Sequence, residues 1–276
     1  MRVMYDFKGV SVPLYSRITN FGVRSFKTTS DIIDSIPCEN KEWDKVDVLV
    51  SDRDYLAFLR NITDSSEDRI VGYLNDFKND AEFREAFSKK LKELAVSGIK
   101  APGDLRFHSL SLYCIIRAAK PSLMIETGVA QGKSSALALL AMHHNNKGKL
   151  ISIDYPNPVG ALLPDGAVTS TEGKEVGWLV PLYLRERWDL RLGDAKQLLP
   201  KVLKLKTNNK VDIFFHDSLH TYEHAMFEFE TAVKHIKKGI MICDNIELGV
   251  GEAFHEYLER KLKVGYAYRD FAAVRI

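Results

Sequence analysis

A chain of 276 residues with 45% hydrophobic and 28% charged residues has the composition of an ordinary globular protein and can bury roughly 70–75% of its unfolded surface. Its 39 basic and 37 acidic residues leave a net charge of +2, too small a field to point to nucleic acid or an anionic membrane as a partner. No apolar run approaches the ~18 residues of a membrane span, and the opening MRVMYDFKGV lacks an apolar signal core, so a cytoplasmic protein is expected.

Residues 1–50 mix short β-branched pieces with polar turns and show no clear period. Cys38, and further on Cys114 and Cys243, have no CxxC spacing and read as free thiols, the last two buried, rather than disulfides or a zinc site. Helices are predicted over DRDYLAFLRNI (52–62), EDRIVGYLNDF (67–77) and DAEFREAFSKKLKELAV (80–96), where apolar residues recur at helical spacing. Ala101-Pro102-Gly103-Asp104 breaks the pattern, and Asp104 can cap a helix over LRFHSLSLYCIIRAA (105–119).

From residue 121 strands and helices alternate. The strands are LMIET, KLISIDY, WDLRLGD, VDIFFHD and GIMICDN, each followed by a helical segment except the second, which leads into a Gly/Pro-containing insertion over 156–177. VGYAYRD and AAVRI close the chain as a hairpin. Near-continuous apolar strands between helices indicate a doubly wound α/β, Rossmann-like parallel sheet, with its ligand outside the carboxyl ends of the strands. A mainly helical accessory region over 1–103 and a catalytic domain over 104–276 are expected.

The first strand runs into Glu126-Thr127-Gly128-Val129-Ala130-Gln131-Gly132-Lys133-Ser134. A P-loop needs a glycine five places before Gly132, where Thr127 stands, so an NTPase reading fits poorly. The dinucleotide pattern G-x-G-x-x-G fits no better, because Ala130 takes its middle slot and Gly132 comes early. The S-adenosylmethionine loop [DE]-x-G-x-[GA]-x-G is met at Glu126, Gly128, Ala130 and Gly132, where small residues allow close backbone approach. A tight turn with no ligand is the bland reading. Two further acids end the next strands. Asp154, placed to accept bonds from ribose hydroxyls, lies 22 residues past Gly132 (154 − 132). Asp194 in RLGDA is placed for an adenine amino group. Each alone reads as a cap or turn residue; as an ordered set they are more specific.

On IETGVAQGKSS, LISIDY, RLGDA, DIFFHDSLHTYEH and IMICDN, residues 121–276 resemble a class I S-adenosylmethionine-dependent methyltransferase. The resemblance implies strand order 3-2-1-4-5-7-6, counted from LMIET, and a cofactor held by Glu126 through Gly132, including Thr127, with Ser134, Asp154, Asp194 and Asp217. The insertion after Asp154 departs from the minimal domain; Trp178, Tyr183 and Trp188 are expected to pack it against the sheet edge.

A second constellation follows the fourth and fifth strands of this region. Metal-dependent O-methyltransferases of the catechol type are similar in carrying an Asp, a base three residues later, and an Asp-Asn pair; Asp217, Asp244 and Asn245 match. His220 stands where the catechol enzymes have lysine, as in macrolide-sugar O-methyltransferases. Two carboxylates and an amide suit Mg²⁺, the metal would lower a substrate hydroxyl's pKa, and His220, whose type titrates near 6.5, would take its proton. A rival set, His216, His220 and His224 with Asp217, would imitate a metal-dependent hydrolase, but His216 and Asp217 should face opposite sides of the strand. Helix caps and turns are the bland reading of the same residues. The expected activity is O-methylation of a small hydroxylated acceptor, with homo-oligomerisation left open. The competing class is a non-catalytic cofactor-binding protein of the same fold.

Overall fold

The apolar strands can satisfy their backbone groups only against one another while both faces are covered, and that is the arrangement they adopt. A computed structural model describes residues 16–18, 41–96, 107–156, 162, 164, 174–206 and 210–276. Asp104, Cys38, most of the insertion and the expected 103/104 boundary lie outside these residues. The strands are β1 (Ser16–Ile18), β2 (Leu123–Thr127), β3 (Lys149–Asp154), β4 (Trp188–Leu192), β5 (Ile213–His216), β6 (Ile240–Cys243), β7 (Gly265–Tyr268) and β8 (Phe271–Arg275).

They form one sheet in the order β4-β3-β2-β5-β6-β8-β7-β1. Counted from β2, this is the expected 3-2-1-4-5-7-6. Strands β2 to β6 are parallel, and β8 and β7 run antiparallel to their neighbours. The addition is β1, which pairs antiparallel with β7, Ser16 opposite Ala267.

The helices are α1 (Lys41–Ser51), α2 (Arg53–Thr63), α3 (Glu67–Asn79), α4 (Ala81–Val96), α5 (Phe107–Ala119), α6 (Lys133–His144), α7 (Ala195–Lys206), α8 (Tyr222–Ala232) and α9 (Gly249–Lys261). Neither β1 nor α1 is foreshadowed by the weak periodicity of residues 1–50. Asp52 caps α2, its Oδ1 accepting from the N–H groups of Asp54 and Tyr55 at 3.0 Å. The helical segment after β5 ends at Ala232 and tightens into a 3₁₀ turn, Val233–His235, which turns the chain back toward β6.

Alternation along the strands sorts the core into two layers. Met124, Leu150, Phe215 and Ile242 join a cluster with α1 to α6, while Ile125, Ile151, Phe214 and Met241 join one with α7 to α9. Each such side chain, fully buried, contributes about 1.5–3 kcal/mol. The N-terminal helices belong to the first layer. Phe58 meets Phe271 edge-on at 6.1 Å, Tyr55 meets Tyr268 at 5.1 Å, and the Tyr268 hydroxyl donates to Asp52 Oδ2 at 2.7 Å. A further tie forms on the other flank, where Asp80 and His144 Nε2 pair at 2.8 Å. No helix among the described residues is long and apolar enough to cross a membrane.

Candidate active site

The ladder continues one residue past the strand ends. Gly128 N–H donates to Ile153, Gly193 N–H to Asp154, Asp217 N–H to Thr127 and Asp244 N–H to His216, all to carbonyl oxygens at 2.8–3.1 Å. These bonds line up Gly128, Asp154, Asp217 and Asp244 along one carboxyl edge. Gly128 has φ +84°, and a Cβ there would stand 1.8 Å from the carbonyl oxygen of Asp217. Only glycine allows the loop after β2 to lie on the backbone after β5.

The loop turns through Ala130 at φ +48° and ends at Gly132, the residue before α6. A left-handed alanine costs of order 1–3 kcal/mol and persists where its surroundings hold it. Asp154 does the holding: its Oδ2 accepts the N–H groups of Val129 at 2.7 Å and Ala130 at 2.9 Å. Beneath the loop, Glu126 is fully buried, and its Oε2 accepts from Ser135 at 2.7 Å and Ser152 at 2.6 Å. Ser152 in turn accepts from Trp188 Nε1 at 2.8 Å. Burial, with smaller contributions from the charges of Asp217 and Asp154, pushes the Glu126 carboxyl up to about 8 despite the two hydroxyls. Ser134 faces Ser109 of α5 at 3.5 Å between hydroxyls. Asp194 caps α7, Oδ1 accepting from Lys196 N–H at 2.8 Å.

Thr127, one residue on from Glu126, points to the other face of the sheet. Its hydroxyl donates to Glu228 Oε2 at 2.6 Å. That same fully buried carboxylate meets His216 Nδ1 at 2.6 Å, His224 Nε2 at 2.9 Å and the Ser218 hydroxyl at 3.0 Å. Four partners fill its acceptor sites. Burial alone would raise its pKa, but His216 and then His224 hold it down to about 2. His216 and His224 therefore converge on a carboxylate rather than with His220 on a metal.

The acids and bases expected after β5 and β6 are arranged as follows. His220 Nε2 lies 3.6 Å from Asp217 Oδ1. Asp244 is 2% exposed, and its pKa is driven well above the carboxylate range by burial and then by the charges of Asp217 and Asp270. Its Oδ2 is 3.4 Å from His108 Nδ1. Asn245 sits at φ +55°, and its amide donates to Glu247 Oε1 at 3.0 Å. Among the described residues, His108, Asp244 and Asp270 are the His, Cys, Asp or Glu side chains grouped with ligand atoms within 4.8 Å of one another; Asp217 is not in that group.

Glu228, His108 and Asp270 have no place in the sequence motifs. Glu228 could have been noticed four residues after His224, the spacing at which helical side chains meet. His108 and Asp270 carry no such signal, because three distant segments bring them to Asp244.

A family model described as a methyltransferase domain matches residues 125–246. No curated protein matches. Among solved structures, the chain is similar to the O-methyltransferase TomG from Streptomyces achromogenes, in complex with SAM (18% identity, 70% of this chain and 89% of that one, TM-score 0.52). It is also similar to a candidate caffeoyl-CoA O-methyltransferase from Staphylococcus aureus (14%, 76% and 99%, TM-score 0.50). A candidate O-methyltransferase from Klebsiella pneumoniae gives 15%, 69% and 89%, with TM-score 0.50. At these identities the neighbours speak for the fold alone. The segment 125–246 matches a methyltransferase domain in sequence, and the strand order is that of the class I S-adenosylmethionine-dependent methyltransferase fold.

Proposed function

We propose that the protein transfers a methyl group from S-adenosylmethionine to a hydroxyl oxygen of a small molecule, a sugar or natural product, with a divalent cation assisting and His220 as general base. The observation that carries this reading is the contact between the two constellations. The backbone of Gly128 lies directly on that of Asp217, so a cofactor on the glycine loop would be next to the acids and the base. The Streptomyces neighbour, an O-methyltransferase solved with SAM, is in keeping with the same cofactor and the same acceptor atom.

The residues fit the two groups. Glu126 through Gly132 give a close-approach bend, and Asp154 fastens that bend through Oδ2 alone, leaving Oδ1 for the ribose hydroxyls. Asp194, a helix cap, would stand at the adenine end, and Ser134 at the methionine carboxylate. Asp244 keeps a buried Oδ1 with no hydrogen-bond partner, which suits a cation. S-adenosylmethionine supplies an electrophilic methyl group, and a divalent cation stabilises negative charge on the acceptor oxygen. His220 removes the hydroxyl proton at Nε2, and Asp217 stabilises the imidazolium that results. Glu228 positions Ser218 and, through it, the segment bearing both.

Titration calorimetry with S-adenosylmethionine tests the cofactor: binding is expected, and Asp154→Ala should weaken it at least tenfold. Binding untouched by that variant would remove the ribose assignment. His220→Gln should lower kcat by about 10²–10⁴ with cofactor affinity unchanged; full activity in that variant defeats the base.

A further inference from the structure

The carboxyl edge of β6 gathers several acids around one that is buried. Asp244 is almost wholly buried and its Oδ1 accepts no hydrogen bond, an expensive state for a carboxylate. Asp217, Asp270 and Glu247 all act on it with like charge. The base beside it is His108, which enters from the first turn of α5 and stacks on Phe271 with ring centroids 6.4 Å apart. Asp270 comes from the turn between β7 and β8, and its carbonyl accepts from Ile246 N–H at 2.9 Å, which ties that turn to the segment after Asp244.

Three separate elements thus bring one imidazole and two carboxylates within 4.8 Å of one another. Ligands on opposite sides of an ion at about 2.0–2.2 Å are about 4 Å apart, so the group needs only a small contraction to close on a cation. The 3.4 Å from His108 Nδ1 to Asp244 Oδ2 is near the edge between adjacent ligands, about 3 Å at bond lengths of about 2.1 Å. Asn245, by contrast, turns its amide to Glu247.

Resting on the methyl-transfer reading above, we propose that the divalent cation is held by His108, Asp244 and Asp270 rather than by Asp217, Asp244 and Asn245. The ligand set has a chemical consequence. An all-oxygen set favours Mg²⁺, whereas an imidazole with two carboxylates favours a borderline ion such as Mn²⁺, Fe²⁺ or Zn²⁺. Asp217 is then released to serve His220 alone.

The test uses the full chain, freed of metal with EDTA and titrated with Mn²⁺ while free Mn²⁺ is followed by electron paramagnetic resonance. One bound ion is expected, with ¹⁴N coupling from an imidazole in the pulsed spectrum of the unmutated protein. His108→Ala should abolish that coupling. His108→Ala and Asp270→Asn should each weaken binding by about tenfold or more, since even outer-shell partners are worth 10–100-fold. Asp217→Asn and Asn245→Gly should stay within about threefold by the same scale. An ion bound without ¹⁴N coupling, lost in Asp217→Asn and Asn245→Gly and kept in the other two variants, overturns the assignment. So does a chain that binds no Mn²⁺. S-adenosylhomocysteine affinity, measured on the same samples, reports separately on the fold and on the methyl-transfer reading: its absence from the unmutated protein would remove that reading, whatever the ion does.

Discussion

The two faces of the sheet each hide a glutamate beneath the active edge, and the two are treated oppositely. Glu126, on the α6 face, receives two serine hydroxyls and carries a pKa pushed up to about 8. Glu228, on the α8 face, receives two histidines, a threonine and a serine and is held down to about 2. Both are fully buried, so burial does not separate them; their partners do. Hydroxyls can bond to a neutral carboxyl, whereas the bonds from His216 and His224 favour the ionised form. The neutral acid lies under the glycine loop. The ionised one anchors the segment where Asp217 and His220 sit.

The joint between the faces is where the largest effect is expected. Gly128→Ala drives a Cβ into the Asp217 carbonyl at a positive φ, and should cost about 4 kcal/mol or prevent folding, read from denaturant melts. Glu228→Gln comes next, since an amide nitrogen in place of a carboxylate oxygen leaves buried donors facing a donor, at a cost of about 1–3 kcal/mol. It should also lower kcat more than it weakens cofactor affinity, because the four donors that share this carboxylate, Ser218 among them, lose half of their acceptor set.

The pH dependence sharpens the contrast. Glu126 has a raised folded pKa, so its contribution is complete below about 4.5 and is lost as pH rises toward about 8. Glu228 has a lowered one; its contribution is complete above about 4.5 and is lost as pH falls toward about 2. Unfolding free energies measured across that range should therefore show the advantage of the unmutated protein over Glu126→Gln shrinking from pH 4.5 to 8. The advantage over Glu228→Gln should shrink only on acidification. The smallest effect is Glu126→Gln itself at pH 5, where an amide replaces a carboxyl that is already neutral: within about 1 kcal/mol. A loss as large as that of Glu228→Gln would mean both acids are ionised.

The order of the sheet was legible because β2, β3, β5 and β6 bury both faces and so read as near-continuous apolar runs, while β4 at the rim is partly exposed and keeps its polar residues. The glycine loop was legible because Gly128 and Gly132 answer to backbone contacts that leave no room for a side chain. Asp194 was visible as an acid at a strand end, but its spacing could not tell a cap from a ligand contact. Glu228 and His108 were hidden for different reasons. Glu228 looks like one acid among several on a helix until Thr127 and His216 are brought to it from two strands. His108 acquires meaning only when α5 lands beside Asp244 and the β7–β8 turn. The edge strand β1 was invisible because three residues of pairing leave no period to read.

That edge strand has a consequence for how the protein is handled. Its antiparallel bonds to β7 occupy amide groups that would otherwise be open to any passing extended chain. A shortened version starting near residue 104 would retain every residue of the active edge and still bare the rim of the sheet. Self-association of such a fragment, suppressed by returning the missing strand as a free peptide, would be the mark of a molecule in which Ser16–Ile18 serve as the selvedge.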